Sequence, residues 1–225
     1  MRDLKEMLLV GAAELGVALD DVAIDRLFVY KDFLQEYNKK VNLTSITEDE
    51  EVIVKHFLDS LAVLPEIKTD EGTKVIDIGT GAGFPGLALK IAQESLDLVL
   101  MDSTNKKVKF LEEAVQRIGL NKVVCIHARA EELLRQKMEY QKSFDYAVSR
   151  AVARLSKLAG YCLPYVKIGG EFIAMKGRNY SEELDEARDI IKKLGGEVVE
   201  VKEIALPGDI IHSLIKIKKK YHKIL

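Results

Sequence analysis

The sequence predicts an α/β fold: a parallel sheet covered by helices on both faces, an antiparallel hairpin at one edge, and a helical segment in front. Three observations predict it. From Lys74 onward, short apolar runs alternate with amphipathic stretches, five times over. The chain then closes with two strand-like runs around Leu206-Pro207-Gly208-Asp209, a turn signal. Before Lys74 the apolar spacing is helical throughout.

The elements follow in chain order. Leu4, Met7, Leu8, Gly11, Ala12 and Leu15 recur at helical spacing in 2–16, and Gly16 suits the stop. Val22, Ala23, Leu27, Tyr30, Leu34 and Tyr37 do the same in 20–37, with Asp20 as the cap. A polar stretch from Asn38 to Ile46 separates these from a third helix. Thr47 and Glu50 have the spacing of a capping box, so that helix is expected from there to about Leu64. Pro65 and the polar stretch 68–73 end it. Strands are then expected at Val75–Ile78, Leu98–Met101, Val123–Ile126, Tyr146–Val148 and Phe172–Met175. Helices are expected at 85–94, 105–118, 130–140, 153–165 and 181–194. Glu197–Ala205 and Ile210–Lys218 form the hairpin, which brings the sheet to seven strands. The expected division is a helical segment, 1–72, and a sheet domain, 73–225.

Composition narrows the function classes. The 225 residues are 48% apolar and 31% charged, within the globular range. The net charge of −2 looks unlike a strong nucleic-acid binder, but it is an average. Residues 1–72 hold 8 basic and 16 acidic side chains, net −8, while 73–225 hold 26 and 20, net +6. The basic part permits an anionic substrate. Cys125 and Cys162 have no partner spacing, which points to a reducing compartment without a zinc site. No apolar run reaches the ~18 residues of a membrane span. Asp3, Lys5, Glu6 and Glu14 interrupt any signal-peptide core, so a cytoplasmic protein is expected.

The main chemical signal is Val75-Ile76-Asp77-Ile78-Gly79-Thr80-Gly81-Ala82-Gly83-Phe84-Pro85-Gly86, a strand, a glycine loop and a helix start. Glycine lets backbone approach a ligand closely, and free N–H groups at a helix start attract polar or anionic atoms. Pro85 fits the first helical turn. Two registers compete. Gly81-x-Gly83-x-x-Gly86 matches the dinucleotide fingerprint. Asp77-x-Gly79-x-Gly81-x-Gly83 matches the loop of S-adenosylmethionine-dependent methyltransferases. Asp77 favours the second register. At a strand end facing the cleft, its carboxylate meets the cationic amino end of S-adenosylmethionine but repels a pyrophosphate. Asp102, at the end of the next strand, suits the ribose of either cofactor.

The wider sequence resembles the ribosomal RNA small-subunit methyltransferase G family, also called glucose-inhibited division protein B. The resemblance rests on Asn38-Lys39-Lys40-Val41-Asn42-Leu43-Thr44, His56-Phe57-Leu58-Asp59-Ser60, and the loop Asp77–Gly86. It continues in Ala128-Arg129-Ala130-Glu131, Asp145–Ala151 with its Ser149-Arg150-Ala151, and Met175-Lys176-Gly177. It covers nearly the whole chain. It implies a class I, Rossmann-like methyltransferase fold in a bacterial cytoplasm, with methyl transfer from S-adenosylmethionine to N7 of a guanine in 16S ribosomal RNA. Carried over, it implies that Gly79 and Phe84 line the methionine and sugar side, with Gly81 and Gly83 of the loop as further cofactor-binding candidates. Asp102, Ser103 and Thr104 fall at the ribose, Ala130 and Glu131 at the adenine, and Arg150 at the reaction centre.

That target can be weighed against the residues. N7 of guanine carries a lone pair at neutral pH, so alignment suffices and no general base is needed. Methylation at a pyrimidine C5 needs a cysteine nucleophile, and Cys125 and Cys162 both read as core residues. Exocyclic-amine enzymes commonly carry an Asp/Asn-Pro-Pro-aromatic motif where this chain has Ser149-Arg150-Ala151-Val152. Arg150 stands at the end of a central strand, where α/β ligands bind. Its guanidinium suits guanine O6 or a phosphate, or a structural ion pair with Asp145 or Glu131.

RNA candidates are Lys39, Lys40 and Asn42 in the loop before the third helix, His56 on that helix, and Lys176 and Arg178 around Gly177. Lys218, Lys219, Lys220 and Lys223, with Tyr221 and His222 between them, form either a basic tail or a solvated terminus. Lys106, Lys107 and Lys109 read as the exposed face of a helix. His56 and Asp59 share a helix face without enough neighbours for a metal, and His127 and His212 read as structural. The expected partner is 16S ribosomal RNA or the small subunit, acted on by a monomer. The competing readings are an NAD-dependent oxidoreductase and a non-catalytic RNA-binding or regulatory protein on the same fold.

Overall fold

A computed structural model describes residues 3–150 and 153–221. Ala151, Val152, His222 and Lys223 lie outside the described residues. The helical segment comprises α1 (Leu4–Glu14), α2 (Asp21–Asn38) and a composite helix, α3, over 49–61. Asp20 caps α2 as expected, its Oδ1 accepting from Ala23 N at 2.7 Å. The expected capping box does not form. Helix α3 starts at Asp49, after Glu48, with no side-chain cap. Its start is held sideways instead. Lys31 of α2 donates to Asp49 at 2.7 Å, and Gln35 bonds both Thr47 O and Asp49. The three acids Asp49–Glu51 also favour the positive end of the helix dipole. Within α3, Val52–Leu58 is a π-helix, where Asp59 N reaches back to Val54 O. Such wide turns are rare, and they are frequent at functional sites.

The sheet then alternates with helices. In order come β1 (Lys74–Ile78), α4 (Gly86–Ala92), β2 (Asp97–Asp102), α5 (Asn105–Ile118), β3 (Val123–His127), α6 (Ala130–Gln136), β4 (Phe144–Arg150), α7 (Leu155–Cys162), β5 (Val166–Gly177) and α8 (Ser181–Lys193). The hairpin β6 (Gly196–Leu206) and β7 (Ile210–Lys219) closes the chain. Helix α6 is shorter than expected, and Met138–Tyr140 is a separate 3-10 turn. The seven strands lie in the order β3-β2-β1-β4-β5-β7-β6. All pairs are parallel except those of β7, which runs antiparallel to β5 and β6. The hairpin turn uses left-handed backbone at Gly208 and Asp209, φ +83° and +57°.

Period-two alternation sorts the side chains onto two faces. Val75, Leu98, Leu100 and Val148 face a core shared with Leu8, Leu27, Tyr30, Phe57 and Phe110, so the N-terminal helices and the sheet have one continuous apolar interior. Ile76, Ile78, Val99 and Met101 face α7 and α8 through Leu158, Leu184 and Ile191. Burying each such side chain contributes about 1.5–3 kcal/mol. Strand order reverses between β1 and β4, and ligands of open α/β sheets bind at that switch, beyond the strand ends. Gly79, Asp102 and Arg150 all stand there. Among the described residues no helix is long and apolar enough to cross a membrane.

Candidate active site

The glycine loop is pinned from three sides. Gly79 N and Thr80 N both donate to Met101 O of β2, at 2.8 and 3.1 Å. Asp77 Oδ2 accepts from Thr80 Oγ1 and from Gly86 N, each at 2.7 Å. Tyr30 of α2 donates its hydroxyl to Ala82 O. Pro85 is the residue before α4 rather than inside its first turn. Two glycines are sterically required. A Cβ on Gly86 would stand 2.9 Å from Asp77 Cβ, and one on Gly83 would stand 2.6 Å from Tyr30 Oη.

This geometry corrects the expectation for Asp77. It does not face the cleft. As the alternate residue to Ile76 and Ile78 it points to the N-terminal helices' side of the sheet, where α4 covers it completely. Burial pushes its pKa up to about 6, against the pull of the Thr80 and Gly86 hydrogen bonds. Its Oδ1 is buried with no partner among the described residues. Asp77 is the brace under the loop.

Asp102 does face the cleft. Oδ2 accepts from Gly81 N at 3.0 Å and Oδ1 from Thr104 N at 2.8 Å. Lys107 Nζ stands 3.7 Å away, so Lys107 belongs to the cleft and not to the exposed helix face expected for it. Two cavities meet at Gly79, Asp102 and Ser103. One, about 470 Å³, runs past Ala130 and Glu131 to Lys157 and Tyr161. The other, about 400 Å³, runs past Thr44, Gly81, Phe84 and Thr104 to Arg150. A carboxylate between two adjoining cavities of about 470 and 400 Å³, the second bordered by the glycine loop, fits a nucleoside with an attached tail. The left-handed Gly81, φ +63° with open space where a Cβ would be, leaves backbone accessible to that tail. No group of three metal-ligating side chains exists among the described residues.

Arg150 organises the far end. Its Nη1 donates to Lys55 O at 2.9 Å and to Asp59 Oδ2 at 2.7 Å. The π-helix supplies that carbonyl. Neither Asp145 nor Glu131 is its partner; Asp145 pairs with Lys167. Arg150 Nη2 meets His56 Nδ1 at 3.0 Å. Since a guanidinium only donates, His56 Nδ1 accepts, and its Nε2–H donates to Thr44 Oγ1 at 3.0 Å. Burial, with Arg150 beside it, pushes the His56 pKa down to about 3, so the ring is neutral. That ring stacks on Phe84, centroids 4.3 Å apart, and the Arg150 guanidinium stands 5.1 Å from the same phenyl centroid. Asp59 is fully enclosed, and its Oδ1 bonds His212 Nδ1 at 2.6 Å.

The other expected residues divide. Ser103, Thr104, Ala130 and Glu131 line the cavities. Lys39, Lys40, Asn42 and Arg178 are exposed; Asn42 is next to the cavity-lining Leu43 and Thr44, while Lys39 lines a separate cavity with Gln35 and Asp49. Lys176 is no free cation. Its Nζ is held by Ala153 O at 2.7 Å and Glu183 at 2.6 Å. Nor is there a free basic tail in the described residues. Lys218 and Lys219 belong to β7, Lys219 is buried, and Lys220 pairs with Glu197 at 2.8 Å. Cys162 is buried, and burial pushes the half-buried Cys125 thiol up to about 12. His127, expected to be structural, bonds Ser103 O at 3.1 Å. Sequence reasoning missed Tyr30, Asn38 and His212. Asn38 holds the approach loop through Leu43 N, Thr44 N and Thr44 O at 2.7–3.0 Å. Its signal was the Asn-x-x-x-Asn-Leu-Thr spacing. His212 carried none, because its partner lies 153 residues away.

Known proteins resemble this chain closely. The family model described as rRNA small subunit methyltransferase G matches residues 23–211. A protein of that name from Alkaliphilus metalliredigens is 51% identical over 96% of this chain and 90% of its own. One from a Thermoanaerobacter species is 47% identical over 95% and 89%. Among solved structures, YcgJ of Bacillus subtilis matches with a TM-score of 0.58 at 15% identity, over 74% of this chain and all of that one. TYW2 of M. jannaschii, solved with AdoMet, matches at 0.54 and 13%, over 72% and 76%. These two carry the fold, the class I methyltransferase sheet. The match over 23–211 and the half-identical relatives carry more: this chain belongs to the rRNA small subunit methyltransferase G family and is an S-adenosylmethionine-dependent methyltransferase.

Proposed function

We propose that the protein methylates N7 of a guanine in 16S ribosomal RNA of the small subunit. The observation that carries the choice of atom is the state of the groups around Arg150. His56 spends its one lone pair on Arg150 and is neutral. Asp59 spends both oxygens on Arg150 and His212. Both cysteines are held as thiols by burial. The cofactor-side cavity at Arg150 thus offers fixed donors and an aromatic surface, with neither a free base nor a nucleophile. Guanine N7 needs neither.

Bound S-adenosylmethionine supplies an electrophilic methyl group. In this reading Asp102 receives the ribose hydroxyls, exchanging its present bonds to Gly81 N and Thr104 N for them. Ala130 and Glu131 border the adenine, and Gly79 and Gly81 present backbone to the amino-acid tail. Phe84 and His56 form one rigid stacked wall, and Arg150, clamped by Lys55 O and Asp59, keeps a positive charge at the far end of the second cavity. Asp77 acts behind the loop, holding Thr80 and Gly86 so that the glycines keep their shape. Lys39, Lys40, Asn42 and Arg178 meet RNA phosphates, contacts that give affinity without reading sequence. The modest basic excess of 73–225 suits an enzyme that must release its product.

The test is methyl transfer from labelled cofactor to small subunits, naked 16S RNA and assembled ribosomes, with the modified base mapped. Label that yields 7-methylguanine, detected by chain scission after borohydride and aniline, supports the reading. Label on an adenine or a pyrimidine overturns it.

A further inference from the structure

A third cavity, about 510 Å³, lies between α3, the ends of β4 and β5, and the start of β7. It joins the cofactor side at His56 and Arg150, which line both. Its size is that of a small-molecule site. Three of its walls are apolar: Ile46, Met175 and Ile210. Its charges are mostly consumed. Lys55 pairs with Glu51, Lys176 with Glu183, and Arg150 with Asp59. His212 is different. Nδ1 is taken by Asp59, which turns the opposite ring edge, with Nε2, away from the carboxylate. Nε2 has no hydrogen-bond partner among the described residues, and the side chain is 31% exposed.

We infer that this cavity receives the target guanine and that His212 Nε2–H is the donor that meets its O6, with Asp59 as the positioning residue for both His212 and Arg150. The inference rests on the reading above and deepens it. An enzyme that acts on a base takes it out of the stack and needs a pocket beside the reacting group. Apolar walls with one oriented donor suit a flat neutral ring, whereas a phosphate calls for unpaired cations. O6 lies beside N7 on the same edge of guanine. A donor to O6 therefore sets N7 towards the cofactor cavity and leaves its lone pair free. Adenine presents an amino group at that position and is refused.

The donor role needs both ring nitrogens protonated. The charged groups facing His212 are Asp59 from α3, Arg150 from β4, and Lys55 and Lys176, each already paired, from α3 and β5. The Asp59 hydrogen bond raises the imidazole pKa, against partial burial and the Arg150 charge.

The experiment compares RNA carrying guanine or 2-aminopurine, which lacks O6, at the methylated position, with S-adenosylmethionine affinity measured by calorimetry as the check on folding. Wild type should prefer guanine by at least about fivefold in kcat/KM. His212→Asn keeps an amide donor for Asp59 but places nothing at Nε2. It should bind cofactor normally and lose the guanine preference. His212→Gln, whose amide nitrogen reaches the Nε2 position, should restore part of it. An unchanged preference in His212→Asn overturns the inference. So does an equal loss on both bases with a salt slope smaller by about one, the mark of a phosphate contact. Wild type that labels no guanine overturns the functional reading and takes this inference with it. Wild type that labels guanine while His212→Asn is unaltered overturns the inference alone.

Discussion

Arg150 at the end of β4 and Asp59 on α3 form a 2.7 Å ion pair across 91 residues of chain, with Asp59 wholly enclosed. The pair ties the helical segment to the sheet at the point where the cavities meet. Asp59→Ala would leave Arg150 and His212 facing each other without the carboxylate. Removing one member of a buried pair costs about 3–5 kcal/mol. An unfolding free energy lowered by that amount in denaturant melts, with cofactor binding tested on the surviving folded fraction, is the expected result. A loss below about 1 kcal/mol would mean the pair is solvated.

Asp77 and its neighbours make a second prediction. Asp77→Asn keeps an oxygen for Thr80 Oγ1 and Gly86 N, so it should bind S-adenosylmethionine within a few-fold of wild type. Asp77→Ala leaves both donors unsatisfied, at about 1–3 kcal/mol each, and should weaken binding much more. Calorimetry on the two variants separates a brace from a charge contact. If the carboxylate met the cofactor's amino group directly, both variants would lose affinity alike.

Asp77 and His56 pull the pH dependence of stability in opposite directions. Asp77 has a folded pKa of about 6 against an ordinary 3.8, so between those values the folded state holds the extra proton and stability falls as pH rises. His56 has a folded pKa of about 3 against 6.5, so the unfolded state holds the proton and stability rises with pH. Relative to wild type, Asp77→Asn should gain on the order of 1.4 kcal/mol per pH unit from pH 4 to 6. His56→Gln should lose a similar amount over the same interval. Urea melts at half-unit steps measure both slopes, and slopes of the same sign would contradict the two burial states.

Asp102 carries the cofactor prediction. Asp102→Ala should weaken S-adenosylmethionine binding by at least about tenfold, since a hydrogen bond to a charged group contributes about 1.5–3 kcal/mol. Unfolding stability should fall as well, by about 1–3 kcal/mol for each donor left unsatisfied, because the buried Asp102 holds Gly81 N and Thr104 N and stands 3.7 Å from Lys107 Nζ. Unaltered affinity would move the ribose away from β2.

Gly83→Ala tests the loop's backing. Gly83 has φ +101°, and an added Cβ would meet Tyr30 Oη at 2.6 Å. Strain of this kind costs about 1–3 kcal/mol. The variant should lose that stability and, because the loop must shift, cofactor affinity as well. Tyr30→Phe, which removes the hydroxyl, should recover part of the steric loss.

The alternation of β1 explains where sequence reasoning stopped. Strand, loop, helix and second acid were legible because each is a local pattern of a few residues. The direction of Asp77 was set by period two, but which face would be buried depended on α4 and the N-terminal helices landing there. The capping box at Thr47 failed for a similar reason: Lys31 and Gln35, from another helix, offered Asp49 and Thr47 stronger partners than the local cap. Lys176 read as a phosphate contact until Glu183 came beside it.

By itself the sequence determined the seven strands and their helices, the glycine loop, Asp102 and the family, because local spacing and composition suffice for these. Only the tertiary structure decided which charges remain available. It paired Arg150 with Asp59 and Lys176 with Glu183, neutralised His56, withdrew Asp77 from the cleft and turned the free edge of His212 away from Asp59. The physical reason is burial. A charge taken out of water must find a partner, and the partners come from strands and helices far apart in sequence.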